Sequence, residues 1–268
     1  MFDKQSNIKI TAIIVTLNED RYLEKCLNRL SFCDQIIVYD MYSTDSSVEI
    51  AKKFKAEIRY HQRVPAVESV RKEAAGSSKN EWIIFLDPDE ILPENIGKIF
   101  GEIIIKVPDL GVVYLPWQFY FNGKPLTFTI WGFGRKKAFL FHRKRCRFSK
   151  DVHNGYQLLD SYKSIELSDI KEHGVDHYWN NSYKQLFAKH IRYIKTDGQA
   201  RYNQGQRFSW ITLAKETCYG LKINLIDYNG LQNGFTGFFL SLFYSWYIFM
   251  SYLSLYRYEK AIDAKNIR

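Results

Sequence analysis

Cysteine is scarce in this chain. Four residues in 268 (Cys26, Cys33, Cys146 and Cys218) form no C-x-x-C pair and have no histidine partner at zinc-finger spacing. That argues against a disulfide framework and a structural zinc site, and it fits a reducing, cytoplasmic setting. Glycine-rich turns are also missing: neither G-x-G-x-x-G nor G-x-x-x-x-G-K occurs. Nicotinamide dehydrogenases, P-loop NTPases and typical Rossmann methyltransferases therefore lose ground. Met1–Lys9 is charged and polar where a signal peptide would be apolar, so none is expected. No internal repeat or low-complexity linker stands out. What is present is ordinary globular composition, 46% hydrophobic and 25% charged, which rules out a disordered or collagen-like chain. The length allows one large domain, or a catalytic domain with a short appendage. Lys and Arg number 38 against 29 Asp and Glu, a net charge of +9. Such a surplus calls for an anionic partner: phosphate, nucleic acid or an acidic membrane surface.

The first hundred residues alternate regularly. Strands are predicted at Ile8–Thr16, Gln35–Tyr39, Ala56–Tyr60 and Glu81–Leu86. Helices are predicted at Asn18–Leu30, at Thr44–Phe54 behind a Ser43/Thr44 cap, at Val67–Ser77, and from Pro93 to Lys106. Short apolar runs alternating with amphipathic helices indicate βαβ units and a parallel, doubly wound sheet. Beyond Gly111 the texture becomes that of a mixed sheet edge. Val112–Phe121 reads as a strand, Asn122-Gly123 as a hairpin turn, and Ala138–Phe141 and Arg145–Phe148 as short strands. After Asp176 the pattern returns to helix, at Ser182–Lys195 and Gln206–Tyr219.

No charged residue occurs between Asp227 and Arg257. Within that stretch Phe238, Phe239, Leu242, Phe243, Trp246, Phe249, Met250 and Leu253 make a helical stripe. Its length permits a membrane span, but interspersed serines and aromatic residues favour a helix lying at the membrane interface. Packing on its own domain or on a second subunit is the other explanation.

In open α/β sheets ligands bind beyond the carboxyl ends of the strands. Three predicted strands end there in polar residues: Thr16-Leu17-Asn18-Glu19, Asp40, and Asp87-Pro88-Asp89-Glu90. Asp87 and Asp89, one residue apart after a buried strand, can reach a hard divalent cation that neutralises a diphosphate. The plain alternative is an acidic turn capping the helix near Pro93.

The ordered set strand–T-L-N-E, I-I-V-Y-D-M-Y-S-T-D-S-S, W-I-I-F-L-D-P-D-E, F-H-R-K-R-C-R-F, D-V-H-N-G, H-Y-W-N-N-S, K-H-I-R-Y and Y-N-G-L-Q-N-G-F-T-G-F-F-L resembles glycosyltransferase family 2 over nearly the whole chain. Within that family it is most similar to the subgroup of lipopolysaccharide-core β-1,4-glucosyltransferases. The resemblance implies a GT-A fold: a mostly parallel mixed sheet flanked by helices, with a C-terminal helical, membrane-associating extension. It implies inversion at the anomeric carbon and a UDP-sugar donor. Thr16, Asn18 and Glu19 would line the nucleobase and ribose pocket, Asp40 would contact uracil or ribose, and Arg71 would face the nucleotide. Asp87 and Asp89 match the metal and diphosphate motif for Mg²⁺ or Mn²⁺. Relatives often carry V-H-E where this chain has Val152-His153-Asn154, and neutral Asn154 cannot take a proton. Asp151 and His153 are the nearest titratable substitutes for the general base, and Glu90 is a third. His173 and His177 offer a late metal ligand or a structural histidine.

Seven cations fall within thirteen positions, from Arg135 to Arg147. They read as a solvated face or as an attraction for anionic lipid headgroups or a phosphorylated acceptor. No nucleic-acid-binding module accompanies them. The expected organisation is a nucleotide-sugar-binding domain at 1–180 and a helical region at 181–268. The expected partners are a nucleotide-sugar donor, a glycan or glycolipid acceptor and an anionic membrane surface, on the cytoplasmic face of a bacterial inner membrane. Two other readings stand beside the hexosyltransferase: a sugar nucleotidyltransferase, whose early G-x-G-x-R loop is missing, and a membrane-docked scaffold that has lost catalysis.

Overall fold

The computed structural model describes residues 8–64, 67–132, 134–149 and 155–266. The chain forms two compact units, Met1–Gln118 with Gly134–Tyr178, and Phe119–Phe133 with Trp179–Arg268.

The first unit opens as alternation predicts: β1 (Ile10–Thr16), α1 (Asp20–Asn28), β2 (Gln35–Asp40), α2 (Ser47–Lys53), β3 (Glu57–Tyr60), α3 (Glu68–Ser77), β4 (Trp82–Leu86), β5 (Glu90–Ile91) and α4 (Ile96–Lys106). Then come β6 (Leu110–Phe121), β7 (Lys124–Pro125), β8 (Lys136–His142), β9 (Cys146–Phe148), β10 (Tyr156–Leu158), β11 (Lys163–Glu166), α5 (Ile170–His173) and β12 (Val175–Asn180). The sheet runs β3-β2-β1-β4-β8-β6-β12-β5. Its first four strands are parallel, and β8 lies antiparallel to both β4 and β6. The mostly parallel mixed sheet with flanking helices is thus observed.

Every residue of β1 is buried, as a strand covered on both faces must be, which explains its unbroken apolar run. On one face Ala12, Ile14, Ile84 and Leu86 pack against Leu23 and Leu27 of α1 and Phe100 of α4. On the other, Ile13, Val15, Ile83 and Phe85 meet Val70, Ala74 and Ala75 of α3. Each large side chain buried this way contributes about 1.5–3 kcal/mol, so the carboxyl edge of β1, β2 and β4 stands on a rigid base.

Three expectations need correction. The α2 helix starts at Ser47, not behind a Ser43/Thr44 cap. Ser43 Oγ instead accepts from Asn18 N (2.9 Å), and Thr44 N donates to Asn18 Oδ1 (2.7 Å), so these residues tie the loops after β1 and β2 together. Residues 175–180 form a strand, with Val175, His177 and Trp179 buried on alternate positions. The basic run is largely consumed by the first unit itself. Lys136 pairs with Glu166, Lys137 with Asp87 and Glu90, and Lys144 with Glu81. Arg143 donates to the Ser78 carbonyl and Arg145 to the Leu110 carbonyl. Arg135, Lys136, Lys144 and Arg147 stay exposed, so part of the run is a solvated face, but five of its seven cations are engaged within the unit.

In the second unit Asn122 (φ 48°) and Gly123 (φ 73°) make the expected hairpin turn between β6 and β7. Three helices follow: α6 (Tyr183–Asn203), α7 (Trp210–Lys222) and α8 (Gly234–Asn266). Ser182 and Ser209 cap the first two through their side chains. The α8 helix is long and apolar enough to cross a membrane by length and composition. However, its middle is tied to charged side chains. Tyr247 donates to Asp197 Oδ2 (2.8 Å), and Arg201 donates to Ser251 Oγ (2.8 Å) and covers the Tyr252 ring. A spanning α8 would carry these charges into hydrocarbon, which is costly. Helix α6 reaches α8 closely at Gly198, where a Cβ would stand 2.3 Å from the Ser254 carbonyl oxygen.

Candidate active site

The carboxyl ends of β1 and β2 place Thr16 beside Asp40 in register. Both side chains are buried, at 1% and 0% exposure. Asp40 Oδ2 accepts from Ser43 N (3.0 Å), but Thr16 Oγ1 and Asp40 Oδ1 have no hydrogen-bond partner among the described residues. Burying polar atoms without partners is costly, and two such atoms at adjacent strand ends leave hydrogen-bonding capacity there that a polar ligand could meet. Asn18 (φ 57°) and Glu19 lie on the exposed turn just above. Tyr42 and Tyr60, at the ends of β2 and β3, stack at 5.5 Å with both rings 57% exposed. Sequence reasoning passed over this aromatic platform. The register Asp40↔Tyr60, hidden until the strands are paired, is what brings it to the site.

At the end of β4, Asp87 is held by two cations. Arg71 on α3 reaches Oδ1 (2.6 Å) and Lys137 on β8 reaches Oδ2 (3.1 Å). Burial opposes ionisation of Asp87, but Lys137 and Arg71 outweigh it and hold the carboxyl well below its ordinary range. Lys137 also binds Glu90 Oε1 (2.5 Å), while Glu90 Oε2 accepts from Asp87 N (2.8 Å). Glu90 is wholly buried, and that burial raises its pKa despite Lys137. Both Glu90 oxygens are therefore engaged, and the residue closes the Asp87–Glu90 turn. The Cys26 thiol, kept protonated by burial, donates to the Asp87 carbonyl from below (3.8 Å).

Asp89 points elsewhere. Its Oδ2 lies 3.4 Å from His177 Nε2, because β12 pairs antiparallel with β5 and sets His177 opposite Glu90. The His177 ring stacks on Trp117 at 4.5 Å, and the Lys137 ammonium sits 4.9 Å from the same indole. Among the described residues no three His, Cys, Asp or Glu side chains group tightly enough to enclose an ion. With Asp87 already neutralised, the donors that fit a divalent cation are Asp89 and His177. One carboxylate and one imidazole suit an ion that takes its remaining oxygens from a diphosphate and water.

Thr16, Asp40, Arg71, Asp87, Asp89 and Glu90 thus come to one strand-end edge. Asp151 and His153, and Asn154 beside them, lie outside the described residues. His173 Nε2 lies 3.9 Å from Glu172 Oε2.

Comparison with known proteins bears on this arrangement. The profile described as Glycosyl transferase family 2 matches residues 11–154. The SPbeta prophage-derived glycosyltransferase SunS of Bacillus subtilis (strain 168) is 36% identical over 102 residues, 37% of this chain and 24% of SunS. This match spans about a quarter of that relative's length. The lipopolysaccharide core biosynthesis glycosyltransferase LpsC of Rhizobium meliloti (strain 1021) is 21% identical over 262 residues, 93% of each chain. Among solved structures, S. aureus TarS gives a TM-score of 0.47 at 15% identity, covering 71% of this chain and 40% of that one. The profile takes in β1, β2, β4 and their terminal acids and more than half of all residues, so the chain belongs to glycosyl transferase family 2 and its sheet is that of the GT-A class its sequence resembled.

Proposed function

We propose that the chain is an inverting hexosyltransferase that moves glucose from UDP-glucose to a lipid-linked or lipopolysaccharide-core glycan. The observation that carries this reading is the pair of buried, unpartnered atoms Thr16 Oγ1 and Asp40 Oδ1 at neighbouring strand ends, one strand away from Asp87 and Asp89. Uracil and ribose supply the donors and acceptors those atoms lack, and the exposed Tyr42–Tyr60 stack offers the base a flat apolar neighbour. The likeness to LpsC over almost its full length supports a lipopolysaccharide-core acceptor. Family membership removes the nucleotidyltransferase alternative.

Asp89 and His177 would hold Mg²⁺ or Mn²⁺, which when bound supplies positive charge to the departing diphosphate. Lys137 and Arg71 keep Asp87 ionised and fixed in the turn, and Glu90 orients the Lys137 ammonium. The acceptor hydroxyl gives its proton to Asp151 or His153, the carboxylate and imidazole of the segment between β9 and β10. Calorimetric titration with UDP, with and without Mn²⁺, tests the donor site. Metal-dependent binding by the wild type that is lost in Asp89→Asn is expected. A folded wild type that binds no UDP would sink the reading.

The second unit supports placement on the cytoplasmic face of an inner membrane. It holds thirteen Lys and Arg against five Asp and Glu, whereas the first unit is nearly balanced at 25 against 24. Phe235, Phe238, Leu242 and Phe249 form one exposed stripe along α8, and Trp210 and Ile211 of α7 are also exposed. An apolar stripe on a cationic unit suits a helix lying in the headgroup layer of anionic lipids. Full-length protein should co-sediment with phosphatidylglycerol vesicles and lose this with Phe238→Glu/Leu242→Glu. Equal sedimentation of the variant would rule out this stripe as the contact.

A further inference from the structure

Strand order sets β6 and β12 between β8 and β5. The Lys137–Glu90 pair is therefore made across two intervening strands, and each of these contributes a ring beside it: Trp117 from β6 and His177 from β12. The two rings lie face to face, with planes 5° apart and centroids 4.5 Å apart. The Lys137 ammonium stands 4.9 Å from the indole centroid. Trp117 itself is well anchored. It is half-buried, it packs on the core that includes Val113 and Leu115 of the same strand, and its N–H donates to the Arg135 carbonyl (2.8 Å). Neither the donor-site geometry nor the chemistry proposed for it gives this indole a task.

We infer that Trp117 is a positioning residue for the metal: its indole holds the His177 imidazole in the plane that keeps Nε2 turned to Asp89, and so sets the affinity of that pair for a divalent cation. The inference rests on the reading of Asp89 and His177 as the metal pair and adds what prearranges them. Three observations carry it. First, the main chain of both ligands is already fixed. Tyr178 N donates to the Asp89 carbonyl (2.9 Å), and His177 pairs in register with Glu90. What remains to be set is rotation of the two side chains. Second, an imidazole turns easily about its last torsion, whose preference is broad. A parallel indole removes that freedom, as a hydrogen bond to the second ring nitrogen does at many metal sites. In the plane so fixed, Nε2 stands 3.4 Å from Asp89 Oδ2. Third, the donor set is sparse. Among the described residues no third His, Cys, Asp or Glu joins the pair. With so few protein ligands, affinity depends on how little ordering is left to do when the ion arrives. Lys137 needs no such help, because Glu90 and Asp87 already hold its ammonium.

Two variants of the full-length protein test this: Trp117→Leu, which keeps an apolar side chain without a ring, and Trp117→Phe, which keeps a ring to stack on. Far-UV circular dichroism certifies the fold of each. Calorimetric titration with UDP over a series of Mn²⁺ concentrations gives the metal midpoint. That midpoint should rise about 10- to 100-fold in Trp117→Leu and return most of the way in Trp117→Phe. Nitrogen modulation of the Mn²⁺ electron spin echo, the signature of a bound imidazole, should be present in the wild type and Trp117→Phe and weakened in Trp117→Leu. In the metal-free protein the His177 ring protons should lie upfield under the indole and move back in Trp117→Leu. A Trp117→Leu variant with the wild-type midpoint and nitrogen modulation would overturn the role, and so would equal losses in both variants, which lost packing volume alone would produce. A wild type that binds UDP and Mn²⁺ without nitrogen modulation would instead overturn the metal reading on which the inference rests, and one that binds no UDP would overturn the donor site.

Discussion

Lys137 joins two carboxylates of unequal burial, and that inequality makes its removal informative. Its ammonium lies 2.5 Å from Glu90 Oε1 and 3.1 Å from Asp87 Oδ2. Asp87 keeps Arg71 if Lys137 is lost, whereas Glu90, fully buried, keeps the Asp87 N–H and the weaker attraction of His177. Lys137→Met therefore strands a carboxylate in the interior, at a cost of about 3–5 kcal/mol. That is a large share of the roughly 5–15 kcal/mol that holds a domain together. Glu90→Gln alone leaves Lys137 paired with Asp87 and should cost about 1–3 kcal/mol. The double variant has no stranded charge. It should be more stable than Lys137→Met by about 2 kcal/mol, an unusual case of a second substitution restoring stability. The Lys137→Met deficit should also shrink in acid. With the cation gone, burial and the neighbouring Asp87 charge outweigh His177 and the Asp87 N–H and raise the Glu90 pKa above the unfolded value, so protonation favours the folded state as pH falls. Urea unfolding followed by circular dichroism on the three variants at pH 7.5 and 5.0 measures all of this. A double variant no more stable than Lys137→Met would refute the account of Lys137 as charge compensation for Glu90.

Turnover should identify the base: whichever of Asp151→Asn and His153→Gln removes it should lower kcat by about 10²–10⁴ with UDP affinity intact, and equal mild losses from both would exclude either as sole base. His190 is buried among Trp179, Phe243 and Tyr247, and its Nδ1 lies 2.8 Å from the Leu186 carbonyl oxygen. Burial lowers its pKa from 6.5, so the unfolded chain binds that proton more readily. Its contribution is full above about pH 6.5 and fades as pH falls below that value; urea midpoints should drop from pH 7.5 to 5.5 more in the wild type than in His190→Gln. Gly198→Val should destabilise the helical unit by about 1–3 kcal/mol, because the new Cβ meets the Ser254 carbonyl oxygen at 2.3 Å; an unchanged urea midpoint would show that α6 and α8 part freely there.

The strand-end acids were legible in the sequence because each follows a run of apolar residues that the sheet buries. Asp40 ends β2, and Asp87 immediately follows β4, where the apolar runs stop. What escaped reading depends on pairing between distant strands. Lys137 is one of seven cations within thirteen positions by sequence. Only the antiparallel placement of β8 against β4 sends it to the Asp87 turn while Lys136 turns out to Glu166. His177 was named as a late metal ligand or structural histidine, but its strand was missed: Val175, His177 and Trp179 alternate with Asp176 and Tyr178, a period-two pattern that argues strand. Reading a return to helix after Asp176 hid the register that opposes His177 to Glu90. The Ser43/Thr44 pair misled for a different reason. Short hydroxyl side chains serve loop-to-loop hydrogen bonds as well as helix caps, and here Asn18 claims them.

Net charge shows the same dependence on folding. A surplus of +9 points to an anionic partner, and the densest basic run, Arg135–Arg147, is the natural place to look. Folding spends that run on Asp87, Glu90, Glu81, Glu166 and backbone carbonyls. The balance of the first unit falls to 25 basic against 24 acidic side chains, and nearly the whole surplus passes to the helices, where no dense run draws the eye. A chain-averaged charge therefore singles out no surface. The exposed Phe235, Phe238, Leu242 and Phe249 of α8 and Trp210 of α7 lie in the unit that carries the surplus, on a stretch of α8 that itself holds no charge.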